Sequence, residues 1–430
     1  MAAAAASIAG EVIPFHLIGS GSVGLFWATS IRSAFPSYPI NVLLRSHHKH
    51  RVMMVDSSAG GTNVSHQLQG LKEKVVQVVI SRRYDAATPN HDATGKILHD
   101  NSTSLVHVPV EILRDSNEEA TEIEGPPSMI RNLIVSTKAH QAVQAVESVL
   151  PSLTPDGCNI ILLCNGALSV RDELRALLEA KNGGQSKEPK IVLATTTHGV
   201  YQESSVSSSH TEPSLDAPFN PSGNLVPNAP ASYHIIHAGY GKTYIQDVSQ
   251  FPGLTQIWND SGLNCRPLSE SEMTMLLWQK LAANCVINPL SALFHCRNGE
   301  LLLEPHVPPL QHELLNEISN VAKKTIESQN ESSQKELAGG NTDVRDKEKH
   351  DESEFDPRLS SYALSRFVNQ VIQDTLYNKS SMLQDVSNNK GTEIDHLNGY
   401  IVQKGRALGV ECPANEDVWH RIKELNKSDG

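Results

Sequence analysis

Apolar residues in the first 200 positions come in short β-prone runs. These are Val12–Ile18, Ile40–Leu44, Val75–Ile80, Leu105–Val110, Leu133–Ser136, Asn159–Leu163 and Ile191–Thr195. Between several of them the spacing changes to that of helices, as through Leu25, Phe26, Ala28 and Ile31, then over Ala139–Leu150 and Val170–Ala180. Strands alternating with helices predict βαβ units around a mainly parallel sheet. From Glu270 the texture changes. Helix formers with a 3.6-residue apolar period run through Leu290, then over Leu310–Ile326, Ser360–Leu376 and Glu393–Leu408, and predict a second, helical domain. The division reads as 11–266 and 267–430, with no internal repeat. Three stretches interrupt it: Arg82–Pro127, polar with a short strand inside; Gln202–Ala231, rich in Ser, Pro and Asn; and Glu327–Asp356, charged and nearly free of apolar residues. None carries enough apolar surface to offset its ordering entropy, so loops or disorder are expected there.

Composition agrees with insertions diluting an ordinary core, since only 39% of the 430 residues are hydrophobic and 5% aromatic. Acidic residues outnumber basic ones, 48 to 36, for a net charge of −12. That argues against a nucleic-acid partner and against a polybasic membrane anchor. No run approaches a membrane span, and the Ala-rich start has no basic residue before Arg32, so neither a signal nor a transit pattern is read. The six cysteines are scattered and form no CxxC pair; reduced thiols in an intracellular protein are expected, cytoplasmic by default with import into an organelle left open. His47, His48 and His50 cluster after a strand and read as a solvated loop ahead of a metal site; no metal is expected.

The chemistry begins at Gly19-Ser20-Gly21-Ser22-Val23-Gly24, which joins the first strand to the first helix. In such a turn the first Gly permits the tight bend, the second lets a diphosphate approach the backbone, and the third lets helix and strand pack closely. A purely structural turn is the alternative. The next strand ends Leu43-Leu44-Arg45-Ser46, with no acid before Asp56. NAD sites place a carboxylate there for the ribose 2′-hydroxyl, whereas an Arg pairs with a 2′-phosphate. NADP(H) is therefore the expected cofactor, against an Arg45 that merely faces solvent.

Lys280, Asn284 and Asn288 follow one another at i, i+4, i+8 among Leu281, Ala282, Cys285, Val286 and Ile287. On a helix they form one polar stripe in an apolar surface. Burying them without partners is costly, and a polar ligand would satisfy all three; an exposed polar face is the alternative. A desolvated Lys suits protonation of a carbonyl oxygen and stabilisation of a developing alkoxide. Asn offers both donor and acceptor to a hydroxy-keto substrate.

With these motifs in view, the chain resembles the ketopantoate reductase (2-dehydropantoate 2-reductase) family. The resemblance runs in order through GSGSVG at 19–24, Arg45, STKAHQ at 136–141, CNGAL at 164–168, HAGYGKT at 237–243, WQKLAANCVINPLSAL at 278–293, RNGEL at 297–301, SSMLQD at 380–385 and GTEIDHLNGYIV at 391–402. It spans about two thirds of the chain and leaves out the three insertions. Gln246 stands where the family usually has Gly. The resemblance implies a Rossmann-like α/β NADP-binding domain followed by an all-α domain of the 6-phosphogluconate dehydrogenase C-terminal-like type. It implies Lys280 as general acid, and Asn284, Asn288 and Asn298 as holders of the substrate's hydroxyl and carboxylate end, with Ser381 also on the substrate. Lys138 and Asn165 would lie along the cofactor, Asn165 near the reacting carbon. Glu393 would contact the cofactor or orient the site, and Gly19 to Gly24 with Arg45 would hold its phosphates.

On the residues themselves, Lys138 and Asn165 each follow a strand's carboxyl end, where such sheets bind ligands; a solvated Lys and a simple Asn-Gly turn are the alternatives. Ser381 reads equally as a helix N-cap, and Glu393 as the acid of a helix's first turn. The expectation is an NADPH-dependent reductase of a small 2-keto acid, acting in a cleft between the two domains, with homodimerisation left open. Its rivals are a reductase of another branched 2-keto acid and a non-catalytic NADPH-binding regulator.

Overall fold

The computed structural model describes residues 14–36, 38–45, 52–56, 72–82, 90–91, 97–98, 103–113, 129–154, 157–181, 188–203, 233–246, 254–339 and 355–425. Two compact units emerge: Met1–Ala167 with Arg171–Glu270, and Leu168–Val170 with Ser271–Gly430.

The first unit opens with β1 (Phe15–Ile18), α1 (Ser22–Ala34), β2 (Ile40–Arg45), β3 (Val52–Asp56), β4 (Lys72–Arg82), the two-residue strands β5 (Asn90–His91) and β6 (Ile97–Leu98), and β7 (Thr103–Leu113). It continues with β8 (Asn132–Val135), α2 (Ala139–Val149), β9 (Asn159–Leu162), α3 (Ala167–Lys181), β10 (Lys190–Thr196), β11 (Gly199–Gln202), β12 (Tyr233–Gly239), β13 (Thr243–Gln246), α4 (Leu254–Asp260) and β14 (Cys265–Leu268). Twelve strands form one sheet in the order β11-β12-β4-β7-β2-β1-β8-β9-β10-β13-β14, with β3 also on β4. Its centre, β7 to β10, is parallel. The sheet as a whole is mixed, because β4 meets β7, β3 meets β4, β11 meets β12 and β13 meets β10 antiparallel. β1 and β8 are fully buried along their length, as central parallel strands must be. α1 covers β1 with Leu25, Phe26, Ala28 and Ile31, and its Trp27 meets Trp258 of α4 edge to face at 4.4 Å.

One expected strand proves longer, and one expectation of unstructured chain is corrected. Within Arg82–Pro127, Thr103–Leu113 is an eleven-residue strand inserted between β4 and β2. Alternation along TSLVHVPVEIL buries Val108 and Val110, and pairing on both sides supplies the stability that the strand's polar ends lack. Within Glu327–Asp356, the helix begun at Val307 runs on to Gly339. Glu, Gln, Lys and Ala have high helix propensity, and no breaker occurs before Gly339-Gly340. Most of the remainder of both stretches, apart from the short strands β5 and β6, lies outside the described residues, as do most of Gln202–Ala231 and His47, His48 and His50.

The second unit is helical: α5 (Glu270–Leu293), α6 (Val307–Gly339), α7 (Ser361–Asp374), α8 (Ser381–Ser387), α9 (Asn398–Ala407) and α10 (Pro413–Leu425), with a short turn of 3-10 helix at Asn298–Leu302 and another at Ile394–His396. The single helix expected over Glu393–Leu408 is thus two pieces, broken where Leu397 takes φ −110° and ψ −100°. No described helix is long and apolar enough to cross a membrane.

α5 contains Pro289, which cannot donate to the carbonyl of Cys285 one turn earlier. Asn398 of α9 takes that place, its Nδ2 donating to Cys285 O at 3.0 Å and also to Asn415 Oδ1 at 3.0 Å. Asn415 donates in turn to Glu317 Oε2 at 2.7 Å, and the Glu317 carboxylate accepts the amides of Ala414 and Asn415 at 2.8 and 2.9 Å. This buried polar chain links α5, α9, α10 and α6, and it is anchored within the stretch that carries Asn284 and Asn288.

Candidate active site

Ile18 pairs with Leu43 on one side and Val135 on the other, and Val135 pairs with Leu162. Four adjacent parallel strands, β2, β1, β8 and β9, therefore end at one level. Just past it stand Arg45, the Gly19 turn, Lys138 and Asn165 in spatial order. Open α/β sheets bind ligands at this edge. Arg45 closes β2 opposite Leu113; its side chain is outside the described residues. Lys138 is the N-cap of α2 and Asn165 sits in the turn before α3, which Gly166 closes with φ +63°; both are half-buried.

The three glycines of the turn differ in what confines them. Gly19 has φ +122°, and a Cβ there would lie 2.8 Å from the backbone of Ser136 and of Thr137. A Cβ on Gly24 would meet Gly19 O at 2.4 Å. Ser136 fastens the turn from β8, its Oγ donating to Ile18 O and Gly19 O at 3.3 Å. Gly21, by contrast, is exposed with φ −75°, and nothing lies within 4 Å of a Cβ placed on it. Packing does not require glycine at 21, and without a side chain the backbone there is left open to a ligand. Gly21 is also the N-cap of α1 and offers no side-chain acceptor, so the first-turn amides of Ser22, Val23 and Gly24 suit a phosphate. These residues fit a dinucleotide.

In the second unit, Lys280, Asn284 and Asn288 fall on one side of α5 and are each half-buried, while Leu281, Ala282, Ala283, Cys285, Val286 and Ile287 are buried. Asn298 is brought beside α7 by the RNGEL turn. Asn298 N donates to Asn378 O and Gly299 N to Leu376 O, both at 3.0 Å, and Arg297 Nη1 donates to Tyr377 O at 2.7 Å. The Asn298 side chain has only one orientation open to it. Thr375 Oγ1 donates to Val371 O at 2.6 Å, so it must accept from Asn298 Nδ2, 2.9 Å away. That leaves Asn298 Oδ1 buried with no hydrogen-bond partner among the described residues, an acceptor suited to a ligand hydroxyl.

Ser380, not Ser381, caps α8. Its Oγ accepts from Leu383 N at 3.0 Å and from Ser291 Oγ of α5 at 2.6 Å, and donates to Asn288 O at 3.5 Å. The next residue, Ser381, is left exposed next to this junction with the polar stripe. Glu393 is buried at the head of the Ile394–His396 turn that leads into Asn398.

Reading the sequence for chemistry passed over one cluster. His198 and His237 are buried, with His198 Nδ1 3.1 Å from His237 Nε2 and His198 Nε2 3.2 Å from Leu263 O. Gly241 N donates to His198 Nδ1 at 3.1 Å. In the neutral pair His198 therefore carries its proton on Nε2 and accepts at Nδ1, while His237 also bonds the backbone at Gly239. Burial pushes His198 down to about 4 and His237 to about 3. A Cβ on Gly241 would collide with Thr197 and His198 backbone at 2.4 Å. HAGYGKT is in this fold a packing motif; the signal for it was two histidines flanking glycine-rich strand ends. Gln246, unusual at its position, accepts Leu193 N at 3.3 Å across β10 and β13.

A model of "Ketopantoate reductase PanE/ApbA" matches residues 15–217, and one of "Ketopantoate reductase PanE/ApbA C terminal" matches 272–426. Among curated proteins, the 2-dehydropantoate 2-reductase of Yersinia pestis is 29% identical over 293 residues, covering 68% of this chain and 73% of that protein. A ketopantoate reductase structure from Ralstonia eutropha superposes with TM-score 0.58 at 17% identity, over 96% of this chain and 98% of that one. A D-mandelate dehydrogenase solved with NADH and anilino(oxo)acetate gives 0.56 at 16%, over 97% and 99%. Both halves of the molecule, each with its own motifs in place, therefore assign this chain to the ketopantoate reductase family.

Proposed function

We propose that the chain reduces 2-dehydropantoate to (R)-pantoate with NADPH, a step toward pantothenate and coenzyme A. The observation that carries the reading is the row of Arg45, the Gly19–Gly24 turn, Lys138 and Asn165 along one sheet edge, in a chain that also carries the Lys280–Asn284–Asn288 stripe. The Gly19–Gly24 amides hold the diphosphate, Arg45 pairs with the 2′-phosphate, and Lys138, Asn165 and Glu393 orient the remainder of the cofactor. NADPH, when bound, supplies the hydride that adds to the ketone carbon. Asn284 and Asn288, with the open Oδ1 of Asn298 and the exposed Ser381, hold the substrate's hydroxyl and carboxylate. Lys280 Nζ donates a proton to the ketone oxygen as the C=O bond becomes C–OH, and its charge stabilises the oxygen while that bond forms. Lys280 then recovers its proton from solvent.

The test is NADPH oxidation by purified protein across several 2-keto acids. The proposal expects the highest kcat/KM with 2-dehydropantoate, and NADPH preferred to NADH. A second reading, reduction of a different branched 2-keto acid, draws on the likeness to D-mandelate dehydrogenase, whose structure holds NADH and anilino(oxo)acetate. It would be chosen if such an acid surpassed 2-dehydropantoate. Absence of turnover with every keto acid would favour a non-catalytic NADPH-binding role.

A further inference from the structure

The buried histidine pair packs against Phe26 of α1, the helix that begins in the Gly19–Gly24 turn. The pairing of β11 with β12 slips between Gly199 and Val200, so that Gly199 faces Gly239 and Val200 faces His237. The backbones are close there, and a Cβ on Gly199 would sit 3.1 Å from Gly239 N. At this irregularity Val200 O accepts the Oγ of Ser22 at 3.3 Å, and Ser22 opens α1 inside the glycine turn. One helical turn on, Phe26 lies against both imidazoles, 4.5 Å from His237 and 5.3 Å from His198 between ring centroids. Two imidazoles are costly filler beneath a helix, since each must be desolvated and held neutral. Their ring atoms are spent on fixing backbone: Gly241 N and Leu263 O meet His198, and His237 holds His198 in place.

We propose that His198 and His237 are positioning residues for the cofactor. By locking the β11–β12 slip they aim the Val200 carbonyl at Ser22, and so set the first-turn amides that meet the diphosphate. The inference rests on reading Gly19–Gly24 as the diphosphate site.

The experiment is a double-mutant cycle on the full-length protein, with NADPH affinity read by fluorescence and steady-state kinetics alongside. His237→Leu should raise the NADPH Kd and KM by about 5- to 30-fold with kcat within about twofold, the scale of a displaced hydrogen-bonding group. In a Ser22→Ala background the same change should cost about twofold or less, because the contact it acts through is gone. His237→Gln keeps an amide near the position of Nε2, able to donate or accept there, and should restore most of the affinity. A merely structural histidine would lower thermal stability equally in both backgrounds and leave the NADPH KM alone. Equal weakening with and without Ser22, or an unchanged Kd, overturns the proposal. If His237→Leu does not fold, Gly199→Ala replaces it in the cycle. It presses on Gly239 directly, and its expected rise of about 2- to 5-fold should likewise vanish in Ser22→Ala; additivity there is equally fatal. Gly21→Asp separates the two layers of argument. If it leaves NADPH binding intact, the assignment of the turn is wrong. If it abolishes binding while the histidine variants bind normally, only the positioning role is wrong.

Discussion

Glycines 21 and 24 have the same side chain and opposite reasons for it. A Cβ at 21 meets no protein atom within 4 Å, and an aspartate there suits an N-cap and favours α1 electrostatically, yet its carboxylate would occupy the amides a diphosphate needs. Gly21→Asp should therefore keep or raise Tm while weakening NADPH by about 30-fold or more, the equivalent of ~2 kcal/mol. Gly24→Ala should instead lower Tm, because its Cβ would lie 2.4 Å from Gly19 O. Differential scanning fluorimetry with and without NADPH distinguishes the two, and equal Tm losses would count against the distinction. On the chemical side, Lys280→Ala should reduce kcat by about 10²- to 10⁴-fold with NADPH affinity retained, since proton transfer contributes on that scale. Near-normal turnover would remove Lys280 from the mechanism. Sequence pattern placed Gly19–Gly24, Lys138 and Asn165 correctly at strand ends because periodicity and turn chemistry are local. It did not separate Ser380 from Ser381, since either serine can cap a helix and only the contact with Ser291 decides which one turns inward.

Among the elements, α5 presents a proline in mid-helix and its remedy in another helix. Asn398→Ala would leave Cys285 O without its donor and should destabilise the protein by about 1–3 kcal/mol, the cost of an unsatisfied buried group. Pro289→Ala returns an N–H that can reach that carbonyl, so in its background the Asn398→Ala penalty should shrink by about half or more. Chemical denaturation of the four proteins in this cycle measures the coupling, and simple additivity would mean that Asn398 acts elsewhere. That remedy was invisible in the sequence: Pro289 and Asn398 are more than 100 positions apart, and no periodicity joins them. For the same reason the full length of β7 and the end of α6 were missed. The run Leu105–Val110 marked the centre of β7, but its ends gain their stability from β2 and β4 on its flanks, and composition counted over a stretch hid the run of helix formers in α6.

For the molecule as a whole, the histidines set the acid limit. His198 and His237 are held neutral to about 4 and about 3, and burial also lowers His16 and His107. An unfolded chain protonates its histidines near 6.5. Below that pH the unfolded state binds more protons, so stability falls as pH drops from about 6.5 toward 4 and is indifferent to these groups above 7. For His198 alone the full loss is ~3 kcal/mol. Tm measured from pH 7.5 to 4.5 should decline along that window, and His237→Leu should flatten part of the slope; a Tm that holds level to pH 5 would contradict it.

The strand order also dictates when the first unit can be completed. β4 pairs along Val78–Arg82 with Tyr233–His237, so half of one edge stays open on the ribosome until β12 has emerged. Trp27 likewise waits for Trp258 before the two indoles can meet. Pairings this distant in sequence slow folding, whereas helices that close on near neighbours form quickly. Refolding from denaturant should therefore show helical far-ultraviolet signal returning ahead of the near-ultraviolet band of the paired tryptophans. In the interval the exposed edge of β4 is the surface on which unfinished chains would aggregate. Yield in cells should depend on synthesis rate and temperature more steeply than the equilibrium stability of the finished enzyme would suggest.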